Sequence, residues 1–317
     1  MIPTTTLRPR SPTTTSENDD TTTTFTLRPG RLRDVAAFAR TYYAAFSDPR
    51  PSAAAAADNF LDVLFGPDYR DRRPDVEAAL AAILAPRLWS LQYRLSALVV
   101  DKGTGDGNAD ADDDNVVGFV CVKRPESEVT FYERWLSPRL HALGTLLRRP
   151  RTVLDLRRAG AFPRAFALVE PRVRCSPRRR AAWYLSVVAV DPALQGRGLG
   201  VGMLRAALAH VEAAGARQPL RTPNDDGTDG ADKGRENEEE EPAAAAAAAA
   251  EENGKEKDQQ VEEMGGPAVW LTARKGTEGL YRKLGFVKVM DSNTGPLSAW
   301  NGGAVMFRGL HGVTDRP

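Results

Sequence analysis

Apolar residues recur along this chain with two different periods, and the switches between them mark its elements. Phe25 to Arg28 alternates as a short strand, and Arg31 to Phe46 then sets Leu32, Val35, Phe38, Ala39, Tyr42, Tyr43 and Phe46 at helical spacing, giving an amphipathic helix. Asp58 to Phe65 and Asp75 to Leu88 keep the helical period, the second opened by Pro74 and Asp75. Ser96 to Val100 and Val116 to Lys123 are β-rich runs that read as an antiparallel pair. Leu140, Leu143, Leu147, Leu154, Leu156, Phe162 and Phe166 are spread through an Arg-rich region and predict basic amphipathic helices between Ser137 and about Val169. Trp183 to Val190 is an apolar, β-branched run suited to a buried strand, ended by Asp191 and Pro192. A glycine-rich loop follows at once, and Met203, Leu204, Ala207, Leu208 and Val211 then predict a helix over Val201 to Ala214. Ala268 to Ala273 predicts a strand, Thr277 to Leu284 a short helix and Phe286 to Met290 a final strand. The succession of strand, glycine loop, helix, strand, helix and strand places the chain in the α/β class.

Three stretches break the pattern. Residues 1–24 are Thr, Pro and charge, a composition that buries too little apolar surface to offset the entropy of ordering, and they read as a disordered tail. Residues 218–266 combine the acidic run Glu238 to Glu241 with the Ala243 to Ala250 tract, which has helix propensity but no apolar face to pack. Residues 102–115 form a smaller Gly- and Asp-rich insertion without the spacing of a calcium loop. The expectation is a single domain over 25–317 interrupted by these two low-complexity insertions.

Composition and charge narrow the function. No apolar run approaches the roughly 18 to 20 residues of a membrane span, and two cysteines, Cys121 and Cys175, make neither a disulfide framework nor a metal spacing. No metal and no membrane partner are expected, and the expected location is cytoplasmic, with the nucleus as the alternative. The net charge of +1 hides segregation: 12 Arg face Asp155 and Glu170 between 139 and 180, while 15 acidic residues outnumber 5 basic ones between 221 and 263. The Arg-rich stretch lacks a nucleic-acid motif, so it reads as a solvated helix face rather than a nucleic-acid site.

The loop Gln195-Gly196-Arg197-Gly198-Leu199-Gly200 carries the chemistry. A strand that feeds a glycine turn into a helix N-terminus converges free backbone N–H groups on one point, and such a nest binds phosphate oxygens. Missing side chains at the glycines let a pyrophosphate approach, and Arg197 adds positive charge. A nucleotide-hydrolysing P-loop needs Lys-Ser/Thr after the glycines, whereas Val201-Gly202 stand there. A dinucleotide fingerprint needs another glycine spacing and an acidic residue on the next strand, where this chain has its long insertion.

The segment Ser186 to Gly200, with Gln195, Gly198 and Gly200 in the pattern Gln/Arg-x-x-Gly-x-Gly/Ala, and the segment Leu280-Tyr281-Arg282-Lys283-Leu284-Gly285-Phe286 together resemble the GCN5-related N-acetyltransferase (GNAT) superfamily. The resemblance implies the GNAT acyl-CoA N-acyltransferase fold, a mixed central sheet flanked by helices. It also implies acetyl-CoA as co-substrate, lying between two splayed parallel strands. By the same resemblance the pyrophosphate lies on Gln195, Gly196, Arg197, Gly198, Leu199 and Gly200, and the pantetheine arm pairs with Val188, Ala189 and Val190 like an added strand. A backbone N–H near Val188 then polarises the thioester carbonyl, and Tyr281 is the general acid for the departing thiolate.

The implied reaction is transfer of acetyl from acetyl-CoA to a primary amine by direct attack in a ternary complex. No carboxylate stands on the Trp183 to Val190 strand to act as base, and Glu170 and Glu278 are carboxylates that the sequence does not favour. The acceptor is a small-molecule amine or a protein amine. The alternatives are a catalytically silent CoA-binding or scaffold protein and, more remotely, an NAD(P)-dependent dehydrogenase.

Overall fold

The computed structural model describes residues 5–7, 24–47, 60–101, 115–147, 161–215, 266–292 and 302–310. The rest of the tail and nearly all of both insertions lie outside the described residues, as do Leu154 and Leu156 of the Arg-rich region. In chain order the elements are β1 (Thr5–Leu7), β2 (Thr24–Pro29), α1 (Val35–Ser47), α2 (Phe60–Phe65), α3 (Arg73–Trp89), β3 (Tyr93–Asp101) and β4 (Val116–Lys123). Then follow α4 (Phe131–Leu147), α5 (Ala161–Val173), α6 (Pro177–Arg180), β5 (Trp183–Val190), α7 (Leu199–Gly215), β6 (Val269–Arg274), α8 (Glu278–Arg282), β7 (Val287–Asp291) and β8 (Gly302–Arg308).

The strands make one mixed sheet in the order β1-β2-β3-β4-β5-β6-β8-β7. Its neighbours run antiparallel except β5 and β6, which are parallel. A parallel neighbour requires a crossover, and α7 supplies it. Helices cover both faces. On one, Met203, Leu204, Leu208 and Val211 of α7 pack on Leu98, Val120, Leu185 and Leu271. On the other, α1, α2 and α3 bring Phe38, Tyr42, Leu61, Leu80 and Leu84 against Ala97, Phe119, Cys121 and Val187. Val169 and Val173 of α5 cover Trp270, Val305 and Phe307 at the far end of the sheet. The fold is therefore the mixed α/β architecture with a helix-flanked central sheet.

Two strands depart from the sequence reading. Residues 5–7, inside the stretch read as a disordered tail, are β1: Thr5, Thr6 and Leu7 pair with Leu27, Thr26 and Phe25. The reason is tertiary. Leu7 lies on α7 so closely that a Cβ at Gly202 would stand 3.3 Å from it, and threonine suits a strand once an edge is available. β8 has no counterpart in the sequence reading. It joins β6 to β7 with Ala304, Val305, Met306 and Phe307 all buried, and an unbroken apolar run of that length carries no period by which to tell strand from helix.

The region read as basic helices contains α4 and α5, but not all its arginines are solvated. Arg179 is 1% exposed, reaching the Cys175 Sγ at 3.3 Å and lying over the Phe307 ring. Among the described residues the other buried charges form a pair: Arg28 donates to the two carboxylate oxygens of Asp34 at 2.6 and 2.9 Å, joining β2 to the turn before α1. Among the described residues, no helix is long and apolar enough to cross a membrane and no cluster of side chains is arranged to hold a metal ion.

Candidate active site

β5 is the strand on which the site is built, and a bulge at Ser186 shapes it. β4 pairs Val122 with Leu185 and Cys121 with Val187, leaving Ser186 as the extra residue. At the same point β5 loses its other neighbour, since β6 is paired only at Trp183, Tyr184 and Leu185. The extra residue reverses the alternation of the strand. Trp183 directs its N–H to Ala268 beside β6, while Asp191 directs its N–H to Val117 beside β4. Counting back from Asp191, Ala189 and Val187 face β4, so the backbone groups of Val188 and Val190 face the side from which β6 has splayed away.

That opening leads to the glycine loop. The Gln195 side chain donates its Nε2–H to the Val190 carbonyl at 2.7 Å, pinning the loop to the end of the strand. The Asp191 carboxylate accepts from the Ala193 N–H at 2.9 Å and holds the intervening turn. Gly196 and Gly198 have φ of +83° and +80°, a left-handed backbone that side chains resist, and a Cβ on either would project into open space. The first helical bond of α7 runs from the Gly202 N–H to the Gly198 carbonyl at 3.0 Å. The N–H groups of Leu199, Gly200 and Val201 therefore lie in the first turn without intrahelical acceptors. Arg197 is exposed and Leu199 buried, so the charge faces outward and the apolar side chain anchors the turn. Val188 and Val190 are thus brought together with Gln195 to Gly200 as one continuous edge, whereas the backbone groups of Ala189 between them face β4.

Tyr281 lies in α8, packed against the core cluster that contains α7 and β6. Its ring meets Phe286 edge-on at 6.0 Å, and its carbonyl accepts from the N–H groups of Leu284 and Phe286. Gly285, at φ +82°, makes that close turn. Burial pushes the Tyr281 phenol up to about 12, so it keeps its proton across the physiological range.

On the other face of the sheet a cavity of about 400 Å³ opens beside the bulge, with Ser186 and Val187 both on its wall. Its walls are strongly aromatic. Tyr184 stacks on Trp270 at 4.2 Å, Phe166 stacks on the same indole at 5.8 Å, and Tyr42, Phe60 and Tyr93 add further rings beside aliphatic side chains such as Leu80 and Leu84. Burial pushes the Tyr184 phenol up to about 12, with the nearby Arg87 charge working in the opposite direction. Charge enters through Arg87, Lys123, Arg124, Glu126, Glu170 and Arg174. Of the two carboxylates not favoured by the sequence, Glu170 is on this wall, tied to Arg174 at 2.8 Å, whereas Glu278 belongs to α8.

Arg87, Ser186 and Lys123 escaped the sequence reading although each left a trace. Leu80, Leu84 and Arg87 follow one another at i, i+4 and i+7, so a cation stands on the buried stripe of α3. Ser186 is the polar interruption of an apolar strand, and Lys123 ends β4. The sequence cannot show that the three meet at one cavity, because α3 and β5 are remote in the chain.

No family model matches this chain, and no curated protein matches it. Among solved structures it is similar to an acetyltransferase from Corynebacterium glutamicum described as histone acetyltransferase HPA2 and related, at 15% identity and a TM-score of 0.43 over 90% of this chain and 97% of that one. A GCN5-related N-acetyltransferase from Rhodopseudomonas palustris is similar at 14% identity and a TM-score of 0.39, over 90% and 94%. An N-acetyltransferase from Staphylococcus aureus is similar at 12% identity and a TM-score of 0.37, over 89% and 97%. Likenesses of this size are loose, and what the site can do is decided by its own geometry.

Proposed function

We propose that the chain is an N-acetyltransferase that uses acetyl-CoA and delivers the acetyl group directly to a primary amine. The observation that carries this reading is the continuous edge from Val188 to Gly200: backbone released by the bulge, followed by a glycine turn whose Cβ positions are open. The two positive-φ glycines form a cradle that side chains would fill, so these residues fit a diphosphate followed by an extended arm. When bound, acetyl-CoA supplies an activated thioester.

The N–H groups of the turn and the first turn of α7 hold the diphosphate, with Arg197 as an outer counter-charge. The backbone groups of Val188 and Val190, on either side of Ala189, pair with the arm in place of the missing strand. The Val188 N–H, aimed into the opening, donates to the thioester oxygen where negative charge grows during attack. Tyr281 supplies a proton held in reserve by its raised pKa. Overall the amine nitrogen bonds to the acetyl carbon, the carbon–sulfur bond breaks, and the proton lost by the amine is balanced by one gained at sulfur.

Calorimetric titration with acetyl-CoA, followed by a thiol-release assay over a panel of amines, tests this reading. Binding with amine-dependent thiol release is expected. Binding without release for any amine would leave a silent CoA-binding protein, and binding of NAD(P)H in place of acetyl-CoA would restore the dehydrogenase alternative.

A further inference from the structure

The cavity beside Ser186 has a charge surplus that the acetyl donor does not use. Arg87 is half-buried there, with its Nη1 on the Ser186 Oγ at 3.2 Å and near the Cys121 Sγ at 3.8 Å, and its guanidinium lies over the Tyr93 ring. Among the described residues no carboxylate pairs with it. Lys123 stands in register between Tyr93 and Tyr184, both of which line the cavity. It too makes no ion pair among the described residues. The other charges are matched internally: Glu126 and Glu170 reach Arg174, and Arg124 reaches Glu128 and Glu133. What is left over is two cations in an aromatic cavity.

A half-buried guanidinium that opens onto a cavity with no acid beside it has donors left for a ligand, and their planar fork suits a carboxylate. The cavity, about 400 Å³, is at the small end of the roughly 300–1,000 Å³ typical of small-molecule sites. The lining carboxylates Glu126 and Glu170 disfavour a dianion. The contact between Arg87 and Ser186 puts a carboxylate on Arg87 next to the bulge where β6 leaves β5, so a short spacing between carboxylate and amine suits a ligand whose amine must reach the opening.

We propose that this cavity selects an aromatic α-amino acid as acetyl acceptor, its carboxylate held by Arg87 and Lys123 and its ring among Tyr184, Trp270 and Phe166. The assignment rests on the acetyl-transfer reading for its chemistry, but not for its binding. The amino nitrogen forms the amide bond as the carbon–sulfur bond breaks, and the products are the N-acetylamino acid and the free thiol of CoA.

The test compares L-phenylalanine, phenylalaninamide and phenethylamine, by thiol release with acetyl-CoA and by calorimetry in the presence of CoA. Phenylalanine should exceed the other two in kcat/KM and in affinity by about ten- to a hundredfold, the range of a hydrogen-bonded charge. Arg87→Gln and Lys123→Gln should each erode that ratio while leaving acetyl-CoA affinity as it was. Should Arg87→Gln not fold, Lys123→Gln and the wild-type ratio decide the matter. Phenethylamine equal to or better than phenylalanine would overturn the assignment, as would phenylalanine neither bound nor acetylated. Phenylalanine bound through Arg87 but never acetylated would sustain the cavity assignment and refute acetyl transfer. Acetylation of phenethylamine alone would do the reverse.

Discussion

The side-chain amide of Gln195 donates to the main-chain carbonyl of Val190 at 2.7 Å, so the first residue of the glycine loop is tied to the last residue of the strand that the loop leaves. The bond occupies one backbone acceptor in the opening and fixes the direction from which the turn presents its N–H groups. Replacing Gln195 by Leu removes the donor and leaves that carbonyl unpaired, a cost of about 1 kcal/mol or somewhat more. Acetyl-CoA affinity is expected to fall about five- to tenfold in calorimetry, with little change in thermal midpoint. An unchanged affinity would show that the loop holds its shape without the bond.

Gly198 and Gly279 make a matched pair of tests. Neither has anything within 4 Å of a would-be Cβ, but Gly198 has φ +80° whereas Gly279 sits inside α8 with no such backbone demand. Gly198→Val strains the turn and fills the cradle, so acetyl-CoA binding should weaken by tenfold or more. Gly279→Ala should leave binding as it is and stabilise the fold by up to about 1 kcal/mol, the difference in helix propensity. Equal effects at the two positions would argue against a phosphate cradle.

For Tyr281, the raised pKa sets the form of the pH profile. A general acid works in its protonated form, and burial takes this phenol up to about 12, so no alkaline loss of kcat from Tyr281 is expected below about pH 10. Tyr281→Phe should lower kcat by about a hundredfold with acetyl-CoA affinity nearly unchanged, and should run parallel to wild type across that range. A wild-type alkaline limb near neutrality that vanishes in the variant would contradict the assignment.

The Arg28–Asp34 pair predicts acid sensitivity. Burial alone would raise the Asp34 pKa, but the hydrogen bond from Arg28, the Arg31 N–H and the charges of both arginines outweigh it and hold the carboxyl below its ordinary value. A carboxyl depressed in the folded state adds stability that is present above its unfolded pKa of about 4 and is lost as pH falls through the lower folded value. Denaturant midpoints of wild type should therefore drop below about pH 4. Asp34→Asn should cost about 1.5–3 kcal/mol near neutrality, because it removes the charged acceptor of two buried hydrogen bonds from Arg28, and should flatten that acid dependence.

Much of the frame was legible from local pattern. Trp183–Val190 emerges as a strand with the bounds that its composition predicts, and α7 begins at Leu199, inside the glycine loop and two residues before the start that its apolar period predicts. Local signals of this kind need only neighbours in sequence, such as β-branched runs, a glycine turn and an apolar stripe. β1 and β8 were not legible, because Leu7 finds α7 and Ala304 to Phe307 find β6 and β7 only after the chain has folded.

The chain's own order of residues was enough to specify a strand, a turn of glycines and a helix that together offer backbone N–H groups to an anion, since each of those properties is set by a few adjacent side chains or by their absence. It could not specify that Ser186 would be extruded from the ladder, because a bulge is a relation between two strands and depends on which residue of β4 stands opposite. Nor could it bring Arg87 of α3 to Ser186 of β5, 99 positions away. That meeting comes from packing α3 across the sheet, and through it an aromatic cavity acquires a cation with no carboxylate partner among the described residues.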